Sequence, residues 1–254
     1  MLREFSEKTK EIKISEKAVY RIIYQYGPVT KTEIANQLDS SLTTVSRFID
    51  TLSDKKLISE INKKEISGRK AFKYIIDPNS GFAFGAFITS DLYGISICSI
   101  GGEIIDSVEF PLTQDVKPHD VADTFASYIN ETSQKYIDNK NSIMGCGIAA
   151  MGPIIKSKGI IFHPYHFKSP DWNFVSIKDL IEFKTGVDTW VDNITQTALL
   201  SEIIYGNYKD LSSAAYISMD RGIGCAIYSQ GILGLGSGDT NISNIGHKIG
   251  RAHV

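Results

Sequence analysis

The sequence predicts an α/β protein with a winged helix-turn-helix domain at its N-terminus, and three observations support this prediction. The composition changes at Asp77–Gly81, where Pro, Asn, Ser and Gly favour a turn and indicate a domain boundary. Before this run, apolar residues recur with a helical period and lead into two alternating stretches. After it, glycine-punctuated β runs alternate with amphipathic helices. We therefore expect one domain over residues 1–77 and a second over residues 81–254.

Apolar spacing predicts three helices in the first domain. The first ends at the pair Gly27-Pro28, which stops a helix. The second begins at a capping box formed by Thr30 and Glu33. In the third, apolar residues at i, i+3, i+4 and i+7 predict a buried stripe of Val45, Phe48, Ile49 and Leu52.

A basic β-hairpin is predicted after the third helix. Residues 57–61 and 71–76 alternate like strands, and the intervening loop carries Lys63, Lys64, Arg69 and Lys70. Two short helices joined by a tight polar turn and followed by such a hairpin are typical of a winged helix-turn-helix.

The third helix predicts a DNA contact, because the face opposite its apolar stripe carries Thr43, Thr44, Ser46 and Arg47. Short hydroxyls and an Arg suit base edges in the major groove, and the basic loop suits phosphates or the adjacent minor groove. Residues 1–77 carry 15 Lys and Arg against 11 Asp and Glu, although the whole chain has a net charge of −2. The pattern predicts a double-stranded DNA operator as partner. The alternative is that the helix face and the loop are simply solvated.

The second domain is predicted to contain two similar lobes. A first lobe over about residues 81–193 combines strands at 82–88, 94–99, 103–110, 144–149 and 188–191 with helices at 121–135 and 177–183. A partial second lobe over about residues 194–254 has a helix at 195–205 and strands at 214–219, 224–228 and 232–235. Strands and helices mixed in this order predict an α/β domain.

Composition excludes several classes of protein. No uncharged apolar run reaches the about 18 residues that span a bilayer, and the Lys- and Glu-rich N-terminus lacks the apolar region of a secretory signal. Cys98, Cys146 and Cys225 lie too far apart for a disulfide framework or a metal knuckle. We therefore expect a cytoplasmic protein with free thiols, without a metal or a cofactor.

With these elements in place, nearly the whole chain resembles the ROK family, named for its repressors, open reading frames and kinases. The resemblance lies in the order and spacing of short motifs: Leu42–Leu52, Lys56–Ile58, Gly68–Lys70, Gly145–Pro153, Trp172, Val191–Asn193, Leu199–Glu202, Gly222–Gly224 and Ile245–His247. It implies an actin-like (hexokinase-like, RNase H-like) ATPase fold for the second domain, with a sugar bound between two lobes. It also implies a homodimer.

The chain departs from the kinases of that family at three positions. Phe87 stands where their first phosphate loop has an Asp, and Ile194 stands at the position of their catalytic base. Asp220 replaces a Gly of the second phosphate turn. An aliphatic side chain cannot take a proton, and a carboxylate repels a phosphate. We therefore expect no kinase activity, and we expect Asp91 to be a turn residue.

The sugar site implied by the resemblance is altered but not erased. His247 remains, Asn244 replaces a carboxylate, and Asn193 matches the family's Asn. These three residues could form a neutral site for the hydroxyls of a sugar or sugar phosphate effector. The alternative is that they are remnants and that His247 is an ordinary loop residue.

The sequence leaves three functions to compare. We expect a DNA-binding repressor of sugar-related genes, with a sugar kinase as the first alternative and a regulator whose second domain only dimerises as the other. The family continues past its Gly-His pair with a zinc-binding cysteine cluster, whereas this sequence ends at Val254. We therefore expect an incomplete second lobe with an exposed apolar sheet.

Overall fold

The structure is a computed structural model, and it describes residues 14–63, 71–136, 142–164, 166–206, 211–219, 222–229 and 232–234. The chain divides into two compact units. The described residues of the head unit lie within Met1–Ala83, Cys98–Ile104 and Ile137–Met144, and those of the body unit lie within Phe84–Ile97, Ile105–Tyr136 and Gly145–Val254.

The head unit contains the predicted helices and hairpin. The helices are α1 (Ile14–Tyr26), α2 (Lys31–Gln37) and α3 (Leu42–Asp54), and the antiparallel strands are β1 (Ile58–Lys63) and β2 (Ala71–Ile76). Val29 bridges to Tyr74 and adds a short third strand to the hairpin, a pairing that the sequence did not reveal. Helix α1 ends at Tyr26, and the next position requires a glycine because a Cβ at Gly27 would lie 2.5 Å from the carbonyl oxygen of Ile23.

Side-chain caps hold the helix starts of the head unit. The Thr30 hydroxyl accepts from the backbone N–H of Glu33, and the Glu33 carboxylate accepts from the backbone N–H of Thr30 at 2.7 Å. The bond from the Thr30 backbone N–H, followed by one that the Thr30 hydroxyl donates to the same carboxylate at 2.9 Å, lowers the pKa of Glu33. Ser41 caps α3 by accepting from the N–H of Thr44 at 3.2 Å. The predicted capping box is therefore confirmed.

One apolar core joins the elements of the head unit. The four predicted residues of α3 are buried, with Val45 and Leu52 fully covered. Helices α1 and α2 contribute Val19, Ile23 and Ile34. Outside the predicted first domain, Ile100 and Met144 also pack against this core. The head unit therefore includes short segments that are distant in the sequence.

A five-stranded sheet forms the first part of the remaining fold. Its strands are β3 (Phe82–Ile88), β4 (Leu92–Ser99), β5 (Ile104–Pro111), β6 (Ile143–Ala150) and a later strand, β10 (Thr189–Asn193), and their order is β10-β6-β3-β4-β5. Helix α4 (Pro118–Tyr136) packs against α5 (Ile177–Thr185), which ends at Gly186 with φ 66°. These elements agree with the predicted ones within a few residues.

A small antiparallel sheet escaped prediction. Its strands are β7 (Ile154–Ile155), β8 (Ile160–Ile161) and β9 (Val175–Ser176). The loop between β8 and β9 contains Trp172, which is 1% exposed and packs against Phe167 with ring centroids 5.2 Å apart. Two-residue strands carry too little alternation to be recognised in a sequence.

The last described elements are a helix and a second sheet. Helix α6 (Ile194–Ile204) packs against the antiparallel sheet of β11 (Ser213–Met219), β12 (Ile223–Ser229) and β13 (Ile232–Leu233). The other face of this sheet exposes Ile217, Met219 and Ile227. Within the described residues, the expected exposed apolar surface is thus found on one face only, and the expectation of a sheet without a covering helix is wrong, because α6 covers the other face.

The cysteines are free thiols. Burial raises the pKa of Cys146 to about 12, so this thiol stays protonated at neutral pH. None of the helices in the described part of the chain combines the length and the apolar character that crossing a membrane requires.

We expect Thr30→Ala to destabilise α2, because it removes the hydroxyl that caps this helix. The cost should be about 1 kcal/mol, which corresponds to roughly fivefold faster amide exchange. Hydrogen-exchange mass spectrometry of the peptides that cover residues 30–38 measures this change. Thr43→Ala, at an exposed hydroxyl, is the matched control and should leave the exchange rate unchanged. Equal exchange in the wild type and Thr30→Ala would contradict the role of the cap.

Candidate DNA-binding face and ligand site

The outward face of α3 presents two of the four predicted base-contacting residues. Thr43 and Arg47 are exposed, and they lie one helical turn apart. The Arg47 guanidinium lies over the ring of Phe48, 5.4 Å from its centroid. The Phe48 ring thus supports one face of the guanidinium, and the Arg47 side chain remains exposed to solvent.

The other two predicted residues make hydrogen bonds inside the head unit. The Thr44 hydroxyl lies 2.9 Å from the hydroxyl of Ser41, the residue that caps α3. The Ser46 hydroxyl accepts from the Lys31 ammonium at 2.8 Å. Both side chains are half-buried. The structure therefore separates the predicted set into two exposed residues and two residues that fasten α3.

Lys31 connects three elements, a role that the sequence analysis did not predict. Its ammonium bonds to Ser46 of α3 and lies 5.7 Å from the centroid of the Tyr74 ring on β2. Burial, followed by the charge of Glu60, raises the pKa of Tyr74 to about 12, and the Tyr74 hydroxyl donates to Glu60 at 3.3 Å. A Lys in the first turn of a helix opposes the helix dipole, which was the available signal that this side chain has a partner.

The predicted basic residues of the hairpin remain predictions. Lys63 ends β1, where its backbone pairs with Ala71. Lys64, Arg69 and Lys70 lie outside the described residues. The strands that carry this loop pair in antiparallel fashion, with Ile58 opposite Ile76.

In the body unit, the predicted ligand residue Asn193 is bonded within the protein. Its side-chain oxygen caps α6 by accepting from the N–H of Thr195 at 2.9 Å. Its side-chain nitrogen donates to the carbonyl oxygen of Gly152 at 3.0 Å. The residue is 9% exposed, and each end of its amide retains one further hydrogen-bonding position. Asn244 and His247, its predicted partners, lie outside the described residues.

A charged cluster that the sequence did not predict lies beside Asn193. The Lys156 ammonium is 2.7 Å from a carboxylate oxygen of Asp192 and 2.8 Å from the side-chain oxygen of Gln196. Gln196 is fully buried and donates onward to the carbonyl oxygen of Gly234 at 3.4 Å. This chain of polar contacts connects the turn after β7 with α6 and with the end of β13.

The structure also locates two of the three positions at which the sequence analysis expects a difference from kinases. Phe87 is half-buried on β3, and its ring lies so close to Gly94 that a Cβ there would be 2.6 Å from it. Ile194 is the first residue of α6. Asp220 lies outside the described residues. Asp91 lies in the turn between β3 and β4, as predicted, and pairs with Lys168 at 3.4 Å.

No group of three or more His, Cys, Asp or Glu residues that could hold a metal ion occurs in the described ranges.

Comparison with known families settles the family. The model of the ROK family matches residues 94–252. The chain belongs to the ROK family. Residues 13–65 also match the MarR family, which agrees with the helices and hairpin of the head unit. The resemblance and the fold class that the sequence motifs predicted are thus confirmed.

Curated ROK relatives match along most of this chain. The DNA-binding transcriptional dual regulator NagC of Escherichia coli K12 is 23% identical over 238 residues, which are 92% of this chain and 57% of that protein. The xylose repressor of Staphylococcus xylosus is 25% identical over 217 residues, 84% of this chain and 55% of that protein. The chain thus spans little more than half the length of these relatives.

Solved ROK structures share the fold. A ROK family transcriptional regulator, a homologue of the Escherichia coli Mlc protein, superposes with a TM-score of 0.68 at 21% identity and covers 92% of this chain and 57% of its own. A ROK family glucokinase from Streptomyces griseus, solved with glucose and AMPPNP, gives a TM-score of 0.54 at 18% identity over 65% of this chain and 49% of its own. Regulators and kinases therefore share the fold of this chain.

We expect the two bonds of Asn193 to be separable by substitution. Asn193→Ala removes the cap of α6 and leaves the Gly152 carbonyl without this donor, so it should lower the free energy of unfolding by about 2–3 kcal/mol. Asn193→Ser retains a capping oxygen and should cost about half as much. Urea unfolding followed by tryptophan fluorescence reports on this region, because Trp172 and Trp190 both lie in the body unit.

Asn36→Ala, at an exposed position on α2 of the head unit, is the control and should leave this unfolding transition unchanged. Equal losses for Asn193→Ser and Asn193→Ala would show that the capping bond contributes nothing.

Proposed function

We propose that this chain is a DNA-binding transcriptional regulator, a repressor of sugar-related genes. Residues 1–77 would form the DNA-binding domain and residues 81–254 a sensor and dimerisation domain that transfers no phosphate. The observation that carries the proposal is the exposed pair Thr43 and Arg47 on a helix whose other side is buried in a winged helix-turn-helix core. The names of the curated relatives, which are transcriptional regulators and repressors, support the same reading.

The proposed DNA contact uses α3 in the major groove. Arg47 would donate to a guanine edge, the preferred partner of an exposed Arg, and Thr43 would contact a neighbouring base. Thr44 and Ser46 would fix the helix rather than reach bases. Lys63, Lys64, Arg69 and Lys70 would meet phosphates or the adjacent minor groove.

A homodimer is part of the proposal. Two heads related by a two-fold axis would read a palindromic operator, because the symmetry of the site follows that of the protein. The exposed apolar face with Ile217, Met219 and Ile227 supports self-association, since apolar patches of this kind favour a partner.

The proposed effector is a sugar or a sugar phosphate. Asn193, Asn244 and His247 would supply neutral hydrogen-bonding groups for its hydroxyls. The proposal is supported by the remaining bonding positions of the Asn193 amide and by the printed names of relatives that are N-acetylglucosamine and xylose repressors.

A sugar kinase is the second candidate, because the chain shares its fold with a ROK glucokinase. Phe87, Ile194 and Asp220 argue against phosphate transfer, since they would replace the metal-organising carboxylate, the general base and a phosphate-binding Gly. Lys156 neutralises Asp192, the carboxylate beside Ile194, at 2.7 Å. We therefore propose a regulator rather than an enzyme.

Arg47→Ala should reduce the discrimination between operator and random DNA by roughly 1–3 kcal/mol, because it removes a base-contacting guanidinium. The measurement is fluorescence anisotropy with a duplex selected from a random pool and with an unrelated duplex of equal length. Arg21→Ala, at an exposed position on α1, changes the net charge equally and should retain the discrimination.

Lys63→Ala should instead weaken binding to both duplexes and flatten its salt dependence, because a phosphate contact does not depend on sequence. A chain without salt-sensitive affinity for any duplex would refute the proposed function.

A sugar panel should separate sensing from catalysis. We expect at least one hexose, N-acetylhexosamine, xylose or sugar phosphate to raise the unfolding midpoint, because a ligand that binds the native state stabilises it. The same panel in a coupled ADP assay should show no ATP turnover, and Ile194→Asp alone should not create any. Sugar-dependent ADP release by the wild type would favour the kinase. Light scattering that shows a dimer without any sugar response would leave a body that only dimerises.

A further inference from the structure

Leu42 is an exposed apolar residue at the start of α3. It is 54% exposed, whereas Val45, Phe48, Ile49 and Leu52 of the same helix are at most 4% exposed. A single exposed Leu is ordinary on a protein surface. Its position is informative here, because the N-terminal end of such a helix is the part that meets base edges.

Two hydroxyl groups that follow Leu42 on α3 already have hydrogen-bond partners in the head unit. The hydroxyl of Thr44 is bonded to Ser41, and that of Ser46 is bonded to Lys31. Polar groups that would compete for base edges are thus used inside the head unit. Leu42 and Thr43 are both exposed in the first turn of α3, and Arg47 is exposed further along the same helix.

The major groove offers one base group that suits an exposed Leu side chain. The C5 methyl of thymine is the apolar feature of the groove, whereas the other base-edge groups are hydrogen-bond donors and acceptors. A Leu side chain gains free energy by removing a methyl group from water, and a donor or acceptor placed against it would lose its hydrogen bond with water.

We propose that Leu42 is a specificity-determining residue that contacts the C5 methyl of a thymine in each half-site of the operator, next to the base read by Arg47. This inference rests on the proposed function, since it takes α3 as the helix that enters the groove. It adds one requirement that the proposed contact of Arg47 does not include. The operator half-site must contain a thymine whose methyl group contributes to affinity.

The test exchanges a single methyl group on the DNA. Duplexes are first selected from a random pool with the full chain. Each thymine of the selected site is then replaced in turn by deoxyuridine, which pairs identically but lacks the C5 methyl. Affinities are measured for the wild type, for Leu42→Ala and for Leu92→Ala, a control at an exposed Leu of the body unit that is 44% exposed.

We expect deoxyuridine at one position of each half-site to weaken wild-type binding about three- to tenfold, the usual effect of losing one buried methyl contact. Leu42→Ala should weaken binding to the thymine duplex by a similar factor and should be insensitive to deoxyuridine at that position. Leu92→Ala should keep the full sensitivity. Because Leu42 is exposed, its removal leaves the core of the head unit intact.

Two results would overturn the inference and leave the proposed function standing. One is wild-type binding that is unchanged by deoxyuridine at every thymine. The other is a deoxyuridine effect of the same size in Leu42→Ala and the wild type at every position. Failure to enrich any duplex would instead remove the proposed function and the inference with it. The wild-type scan needs no variant, so the test does not depend on how Leu42→Ala folds.

Discussion

The candidate DNA-binding face depends on the orientation of α3 about its own axis, which the buried side of the helix determines. Val45, Phe48, Ile49 and Leu52 are at most 4% exposed, and each buried side chain of this size contributes about 1.5–3 kcal/mol. A shift of one residue turns a helix by about 100° and would bring Phe48 into water. The outward direction of Thr43 and Arg47 is therefore a consequence of what lies on the opposite side.

Polar contacts rather than apolar packing hold the beginning of α6. Asn193 and Gln196 are buried, and Lys156 and Asp192 are close enough for a charge-assisted hydrogen bond. In such a chain, removal of one group leaves its partner without a bond in a site from which water is largely excluded. The beginning of α6 thus carries a set of mutually bonded structural groups.

The sequence alone was sufficient to predict the elements whose residue pattern is local and repeated. The stripe of α3 and the capping box of Thr30 and Glu33 were predicted residue by residue, because spacing and caps depend on neighbours in the chain. The bond between Lys31 and Ser46 was not, because it joins residues 15 apart that meet only after α2 and α3 have packed. The same reason explains why Thr44 and Ser46 were grouped with Thr43 and Arg47. A helical projection shows which way a side chain points, but it does not show what the side chain binds.

The bond between Lys31 and Ser46 also divides the surface of α3 by how freely it can change. A substitution at Ser46 leaves a half-buried ammonium without its acceptor, so a change there is paid for in stability. Substitutions at Thr43 and Arg47 meet solvent and leave the fold intact. Under the proposed function, a change in DNA specificity would arise at the exposed positions of the helix, while Ser46 and Thr44 would stay fixed. The packing of the head unit thus determines which residues of α3 can change without a loss of stability.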